Sequence, residues 1–297
     1  MTSNAGNSSL QERFLSDFIE KVLWNGRSDN ERWCCKLRFH PQNYDQTNTE
    51  VAKQINQKLN GSFDPTSMSG TLAAVVAKIK RAFGEQMAAD GVDLQELRRE
   101  RGWKPQKPGD RYPWQVIYQW LWEVEFPRSG WELATNLATC AMKEFKFVAI
   151  QERGRDLSLT VIFNGDENIK INQEYALKVH LPGEGYLLLL NRGSKGNYYC
   201  LSPSLAFQPK GACLPERPLY LPDPDSDAKA PCLKFEDLGE EYFLAILTEQ
   251  PLQLSWVRPD GNTDDLWVDE QRFQEIFQQI GRQWNARVFY KRFQVVE

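Results

Sequence analysis

The amino-acid sequence predicts an α+β protein, in which a helical N-terminal domain precedes an antiparallel β-sandwich or barrel-like domain that closes with a C-terminal helix. Three observations lead to this prediction. Apolar residues recur at helical spacing through most of residues 1–144. Seven short β-favouring runs, separated by Gly, Asn, Asp and Pro, then follow without a helical pattern among them. The helical period returns near the C-terminus, and we therefore place the domain boundary between residues 144 and 145.

Start and stop signals frame the helices of the first domain. Ser9 precedes an apolar series and has Glu12 three residues later, which is the spacing of a capping box. The pair Asn60-Gly61 ends a helical pattern, and Pro113 suits the first turn of a later helix. Helices are expected over residues 9–24, 49–59, 69–87, 92–101, 112–123 and 131–140.

One stretch of the first domain is predicted as a strand. The sequence WCCKLRF (33–39) is a short apolar run that ends before Pro41. In a strand, the adjacent Cys34 and Cys35 side chains would point to opposite faces. His40, directly before Pro41, is then interpreted as a turn residue.

The strands of the second domain show the period of two that a half-buried sheet requires. Alternation is clear in DLSLTVIF (156–163) and in YALKVHL (175–181). Residues 208–232 contain six prolines and are expected as loop or edge rather than central strand. A helix over 269–281 and a final strand over 287–296, which pairs back into the sheet, complete the domain. The other predicted strands are FKFVAI, GYLLLLN, NYYCLS, EYFLAIL and LQLSWV.

The composition is that of an ordinary globular protein. Its 297 residues include 36 Lys+Arg and 40 Asp+Glu, so the net charge of −4 argues against extensive coating of nucleic acid. Residues 1–131 hold 18 basic and 16 acidic side chains, which leaves 18 and 24 for the rest. No run approaches the ~18 apolar residues of a membrane span, and MTSNAGNSS lacks the apolar core of a signal peptide. We expect a cytoplasmic protein without membrane association, whose six cysteines are reduced.

No catalytic residue, cofactor or metal site is predicted, and the sequence is interpreted as that of a non-enzyme. Only two histidines are available, no C-x₂-C pair occurs, and no phosphate-binding glycine motif is present. The acidic cluster Glu236, Asp237, Glu240 and Glu241 is interpreted as solvated surface. The alternative is a hydrolase with an unrecognised site, in which His180 or an acidic cluster would line a pocket.

Two clusters near the end of the first domain are candidate binding sites. Dense aromatic residues at helical spacing are expected to pack as core, and the alternatives are a partner-protein surface, for which they are the candidate residues, and a carbohydrate platform. These residues are Trp114, Tyr118, Trp120, Trp122 and Trp131. Interleaved basic residues at the end of two consecutive predicted helices suggest a helix–turn–helix nucleic-acid site, or else an ordinary solvated helix end. They are Arg98, Arg99, Arg101, Lys104, Lys107 and Arg111.

The middle of the second domain resembles a known family. A Gly-Tyr-aliphatic strand, a glycine-containing turn, a strand ending in Leu-x-Pro and a later Gly-Glu-x-x-x-x-Ala-Ile strand are similar to the bacterial domain-of-unknown-function family 4384 across about residues 155–257. The matching residues are Gly185, Tyr186, Gly196, Leu201, Pro203, Gly239, Glu240, Ala245 and Ile246. Members of this family accompany caspase-like or trypsin-like proteases and protein kinases. The resemblance implies an accessory module without catalytic residues of its own.

These observations together predict a non-enzymatic, cytoplasmic interaction or regulatory protein. It would be an adaptor, substrate or inhibitor of a separately encoded bacterial signalling or defence protease, contacted through residues 98–131. A nucleic-acid-binding regulator that uses the helical domain is the main alternative.

Overall fold

The fold is given by a computed structural model. It describes residues 9–23, 28–98, 107, 110–138, 144–153, 156–159, 168–181, 184–208, 212–214, 218–223, 228, 230, 232–258, 266–283 and 285–297. The described chain forms two compact units, Met1–Ser129 and Gly130–Glu297. Helices make up the first unit, while antiparallel sheets and a C-terminal helix dominate the second, so the predicted α+β class is confirmed.

The helices of the first unit largely follow the predicted ranges. Helix α3 begins at a complete capping box, in which the Thr47 side chain and Glu50 satisfy each other's backbone N–H groups. The helices are α1 (Leu10–Leu23), α2 (Asp29–Arg38), α3 (Asn48–Lys58), α4 (Met68–Ala89), α5 (Pro113–Trp120) and α6 (Phe126–Leu137). The division between the two units falls within α6.

The predicted strand at residues 33–39 is wrong, because residues 33–38 belong to α2 and Phe39 is its C-cap. Cys34 and Cys35 are both fully buried, whereas a strand would have separated them onto opposite faces. Asp29 and Glu31 in the first turn, and basic residues in the last, complement the helix dipole. A short apolar run does not by itself distinguish a buried helix from a strand.

The predicted helix at 92–101 is also wrong over its first half. The backbone N–H of Gln95 donates to the Asp93 carboxylate over 2.8 Å, and Glu96 N–H donates to the Asp93 carbonyl over 3.1 Å. These local bonds compete with helix formation. Only a 3₁₀ turn, Glu96–Arg98, follows, so the described residues after α4 do not form the second helix of a helix–turn–helix.

A π-helical segment, Leu121–Glu125, connects α5 to α6. The backbone N–H of Phe126 donates to the Leu121 carbonyl, five residues earlier. Pro127 follows directly, and a proline in a helix removes one donor and crowds the carbonyl four residues before it. The wider turn accommodates that proline without interrupting the helix.

The strands of the second unit form two sheets. In the first, the order is β2 (Asp156–Leu159), β1 (Glu144–Arg153), β4 (Glu174–His180) and β8 (Leu219–Leu221), and β9 (Leu233–Lys234) also pairs with β4. In the second, the order is β3 (Asn168–Lys170), β11 (Arg287–Val296), β10 (Gly239–Thr248), β5 (Gly185–Arg192) and β6 (Tyr198–Ser202), and β7 (Ala212–Leu214) pairs with β5. The described pairings are antiparallel except β3 with β11.

Both sheets contribute to one hydrophobic core. Leu177 of β4 and Phe145 of β1 join Leu189, Phe243 and Phe293 of the second sheet in a single buried cluster. Phe145 lies 5.6 Å from Phe243, measured between ring centroids. This is the sandwich arrangement that alternating strands favour.

The C-terminal helix α7 (Glu270–Gly281) begins as expected, since Asp269 accepts a hydrogen bond from the Arg272 backbone. The predicted strand LQLSWV (252–257) is wrong. Side chains of α7 bind its backbone instead: the Glu275 carboxylate accepts from Ser255 N–H at 2.7 Å, and the Gln279 amide bonds both ways with Gln253. These bonds replace the ladder that a strand would need.

Candidate functional site

A pocket of about 280 Å³ opens at one end of the sandwich. The turn Gly193–Asn197, which joins β5 to β6, forms one side, and the segment Lys234–Asp237, which leads into β10, forms another. Apolar and aromatic side chains form part of its lining, and polar and charged side chains form the rest. The apolar and aromatic residues are Tyr199, Leu201, Phe207, Leu233, Phe235 and Leu266. A concave, mostly apolar site with a few fixed polar groups is the usual form of a ligand pocket.

Glu241 supplies the buried polar group of this pocket. Its side chain points inward from β10 with Phe243 and Ala245, and the residue is only 5% exposed. One carboxylate oxygen accepts a hydrogen bond from the Asn191 side-chain amide at 2.9 Å, and the other accepts from the Ser194 backbone N–H at 3.1 Å. Both donors are neutral. Glu241 therefore forms no ion pair with any residue that the structure describes.

Burial raises the pKa of the Glu241 carboxyl above its ordinary value, because removal of water penalises the charged form. The two hydrogen bonds from Asn191 and Ser194 oppose that rise, and the negative charge of Asp237 adds to it. Desolvation is the largest of these effects. A carboxylate with a perturbed pKa in a cleft is a recognised sign of a functional site.

Close backbone packing fixes the two segments that form the pocket mouth. Gly239 has a φ of +130°, and a Cβ at this position would lie 2.9 Å from the Cβ of Ser194. Gly196, at a φ of +86°, completes the opposite turn, where Gly193 N–H donates to Asn197 O at 2.8 Å. Glycine is required at 239 both for its backbone angle and for this approach.

An exposed ion pair crosses the rim. Lys195 Nζ lies 2.8 Å from a carboxylate oxygen of Asp237, and the two side chains are 70% and 46% exposed. Glu236 and Lys234 complete the charged rim. The pocket thus combines an exposed, mixed-charge rim with one buried carboxylate, Glu241.

The prediction that the acidic cluster is solvated surface is wrong for Glu241, while Glu240 beside it is exposed. The sequence contained one signal: Glu241 occupies the inward phase of the alternation in EYFLAIL. Its partners Asn191 and Ser194 were not predicted. They lie about fifty residues away in sequence and meet Glu241 only through the β5–β10 register.

The aromatic candidates divide between interior and partly exposed positions. Trp114, Trp120 and Trp122 are core residues of the first unit, at 8%, 2% and 3% exposure. Trp122 Nε1 donates to the Phe39 carbonyl at 2.9 Å, and Trp120 Nε1 donates to Asp90 at 2.8 Å. Tyr118 is half-buried and packs on Tyr44.

Trp131, the fifth aromatic candidate, belongs to the second unit. Its ring packs edge-on against Tyr198 of β6, at 4.9 Å between centroids, and against Phe273 of α7, at 6.0 Å. Trp114, Trp120 and Trp122 thus pack as core residues of the first unit, and Trp131 packs within the second.

Three of the six basic candidates lie outside the described residues. Arg99, Arg101 and Lys104 do, and for Arg98 only the backbone is described. Lys107 is exposed, and Arg111 forms an ion pair of 3.2 Å with Glu96.

The histidine and cysteine candidates do not enter the pocket as it is described. His180 is half-buried at the end of β4, and His40 caps the 3₁₀ turn Pro41–Asn43, as a turn residue should. Burial lowers the pKa of His40 to about 4. Burial raises the pKa of the Cys200 thiol to about 12, which disfavours the reactive thiolate.

Neither a metal cluster nor a membrane helix is found in the described part of the chain. No group of three or more His, Cys, Asp or Glu residues within it is placed to hold a metal ion. None of the described helices has the length and apolar character needed to cross a membrane.

Comparison with known proteins gives little similarity. No family model matches the chain, so the resemblance to family 4384 stays a prediction. No curated protein matches it either. A solved structure, Pseudomonas fluorescens alkylpurine DNA glycosylase AlkC bound to DNA containing an abasic site analog, is 12% identical over 80% of this chain and 63% of that one. Its TM-score of 0.16 is too low to carry an argument about fold or function.

Proposed function

We propose that this chain is a non-enzymatic interaction protein, whose β-rich unit binds a partner protein by receiving a basic side chain into the pocket around Glu241. The observation that carries the proposal is a carboxylate, 5% exposed, whose partners among the described residues are neutral donors and which lines an open pocket. A buried charge without a counter-ion is costly, and a cation entering the pocket would remove that cost.

The walls of the pocket support a lysine or arginine side chain rather than a small inorganic cation. Leu201, Leu233 and Leu266 offer apolar surface to an aliphatic stem, while the carboxylate lies at the inner end. Tyr199, Phe207 and Phe235 add aromatic rings, which attract ammonium and guanidinium groups. A metal ion would instead need several oxygen ligands, and a single carboxylate supplies too few.

The arrangement favours binding over acid–base catalysis. Hydrolysis by two carboxylates needs one held protonated and the other ionised, both facing the substrate. Of the described carboxyls in the lining, Asp237 forms an exposed ion pair with Lys195 at the rim, and Glu241 accepts hydrogen bonds from Asn191 and Ser194. The described lining contains no histidine or cysteine to act as a base or nucleophile.

The resemblance to family 4384 adds a role to this proposal. An accessory module of that kind would act as an adaptor, substrate or inhibitor of a separately encoded bacterial signalling or defence protease. The basic side chain would then come from that partner, and residues 193–197 and 234–237 would form the contact around it.

Two-dimensional NMR of the full chain tests the pocket directly. The probes are the N-acetyl, N′-methylamide derivatives of lysine and of norleucine, which share an aliphatic stem and differ in charge. The lysine derivative is expected to shift the backbone amide of Ser194 and the side-chain amide of Asn191, since both donate to Glu241. The arginine derivative should act in the same way.

Two variants separate charge recognition from general contact. Glu241→Gln removes the buried charge, and Glu240→Gln removes a neighbouring exposed one as the matched control. Shifts that persist in Glu240→Gln and vanish in Glu241→Gln support the proposal. Equal shifts with the norleucine derivative, or none with lysine at saturating concentrations, overturn it.

A further inference from the structure

A row of alternating tyrosines and arginines crosses four strands of the second sheet. The registers place Tyr198 of β6 opposite Arg192 of β5, Arg192 opposite Tyr242 of β10, and Tyr242 opposite Arg292 of β11. Residues directly opposite on neighbouring strands share one face of a sheet. Phe243, the next residue along β10, points into the sandwich core, so this row lies on the outer face.

Arg192 is held in place by rings rather than by acids. Its guanidinium carbon lies 5.4 Å from the centroid of Tyr242 and 6.0 Å from that of Tyr198. Tyr198 is fixed in turn by Trp131 and Phe273, at 4.9 and 4.7 Å. The Arg192 side chain is exposed, and its N–H groups make no hydrogen bond or ion pair with the described residues. The Arg192 guanidinium is therefore held in a fixed orientation, and none of the described residues accepts a hydrogen bond from it.

Arg292 is the second arginine of the row and lies on β11. Its side chain is exposed and has no ion pair among the residues described, while Tyr290 stacks on Tyr242 at 5.9 Å and 29°. Glu240 is the acidic neighbour, and its carboxylate accepts a hydrogen bond from the Tyr242 hydroxyl. Glu240 keeps its negative charge in this bond, but among the described residues it forms no ion pair with either arginine.

The spacing indicates an extended ligand. Neighbouring strands lie ~4.8 Å apart, so the backbones that carry Arg192 and Arg292 are separated by about 10 Å across the sheet. Two phosphates on one chain would satisfy both. Guanidinium planes and aromatic rings also stack nucleic-acid bases, and sheet faces that carry such residues bind single strands. An acidic peptide would use the arginines and leave the aromatic half of the row unused.

We propose that this outer face binds single-stranded nucleic acid, with Arg192 and Arg292 on the phosphates. This goes beyond the proposed protein-binding function and lies on a different set of side chains. Fluorescence anisotropy with labelled single-stranded RNA and DNA of about 12 nucleotides, within the ~4–16 that such folds cover, measures the binding. Affinity should fall as salt rises, with a slope in log–log form of about 0.7 for each phosphate contact.

Variants then locate the site. Arg192→Ala combined with Arg292→Ala should weaken binding about tenfold or more and lower the salt slope by about 1.4. Arg192→Lys keeps the positive charge but lacks the planar guanidinium group with its paired N–H donors. Affinity should therefore fall, while the salt dependence of binding should stay the same. Arg282→Ala, which removes an exposed arginine beyond α7, is the matched control and should change little.

Three results would overturn the inference. The first is the absence of oligonucleotide binding by the wild-type chain at low salt. The second is wild-type binding that the double arginine variant leaves unchanged, which would assign it to another surface. The third is equal competition by poly-glutamate or by inorganic phosphate, which would mean that the row recognises an acidic peptide or any anion. Full circular-dichroism signal in the double variant excludes misfolding as the cause of a loss.

Discussion

The side-chain amide of Asn191 donates a 2.9 Å hydrogen bond to the carboxylate of Glu241, from β5 to β10 inside the sandwich. Asn191 is itself only 6% exposed, so the pair is shielded from water. An amide donor stabilises a carboxylate but does not neutralise it. Desolvation therefore remains the largest effect on the pKa of Glu241, which it raises.

Stability should depend on the ionisation of Glu241 in a direction fixed by its pKa. Because burial raises the folded-state pKa above the ordinary 4.5, the folded chain binds a proton that the unfolded chain has already released. The free energy of unfolding contributed by this group is then highest at low pH. It declines as pH rises from about 4.5 through the raised pKa.

Urea denaturation across that pH range, with wild type and Glu241→Gln in parallel, measures this dependence. Glu241→Gln cannot titrate, so wild type should lose stability relative to the variant as pH rises. Glu240→Gln should follow wild type. If the free energy of unfolding of wild type and of Glu241→Gln changed with pH in the same way, burial of the Glu241 carboxylate would not affect stability.

The pocket mouth should be sensitive to one methyl group at Gly239. Gly239→Ala imposes an L-residue at a φ of +130° and brings a Cβ to 2.9 Å from the Cβ of Ser194. Gly196→Ala is the matched control, because its φ is +86° and nothing lies within 4 Å of the added atom. The free energy of unfolding of the Gly196→Ala control should fall by about 1–2 kcal/mol from backbone strain alone. Gly239→Ala should lose more and also shift the Ser194 amide signal, whereas equal losses would mean that the contact is unimportant.

Local signals in the sequence account for most helices and strands, and long-range bonds account for the failures. The capping residues of α3 and α7 lie within four positions of their partners, so their helices could be predicted. The run LQLSWV is predicted as a strand because its own residues give no sign that Glu275 and Gln279, 20 and 26 positions away from the residues they contact, bind its backbone.

The candidate site was harder to predict for the same reason. Alternation along β10 places Glu241 on the inward face, but residue type alone assigns a glutamate to the surface. The choice between a buried and an exposed Glu241 depends on its hydrogen-bond donors Asn191 and Ser194, and only the strand register brings these residues next to it. Burial of Trp114 and Trp122 likewise depends on partners, such as Arg38 and Phe39, in distant segments.

Arg38 should be one of the most important side chains for the stability of the helical unit. It is 1% exposed, and its guanidinium donates to the carbonyls of Gln46, Asn43 and Tyr44 at 2.8, 3.1 and 2.7 Å. The same group lies 3.6 Å from the Trp114 ring centroid. Arg38→Met leaves these carbonyls unpaired and should cost about 3 kcal/mol or more.

Denaturant unfolding followed by tryptophan fluorescence measures that loss. Arg13→Ala is the control, since its pair with Asp17 is exposed and worth no more than about 0.5 kcal/mol. Similar midpoints for the two variants would contradict a structural role for Arg38.

Cysteine reactivity should follow burial rather than any catalytic activation. Burial raises the pKa of Cys34 and Cys200 to about 12, while Cys232 is half-buried. Iodoacetamide at neutral pH, followed by peptide mapping, should label Cys232 well before Cys200. Addition of denaturant should remove the difference. Rapid labelling of Cys200 in the folded chain would contradict this prediction and would support the hypothesis of a thiol-based activity.

The packing of α6 on α7 should make Gly130 intolerant of any side chain. A Cβ there would lie 2.3 Å from two ring carbons of Phe277, which is fully buried and not free to withdraw. Gly130→Ala should therefore destabilise the second unit by about 1–3 kcal/mol. Gly84→Ala, within α4, is the matched control: its nearest neighbour is Lys80 Cγ at 3.7 Å, and it should stabilise by about 0.5–1 kcal/mol. Phe277→Leu in the Gly130→Ala background should recover part of the loss, and strict additivity of the two changes in thermal unfolding would refute the contact.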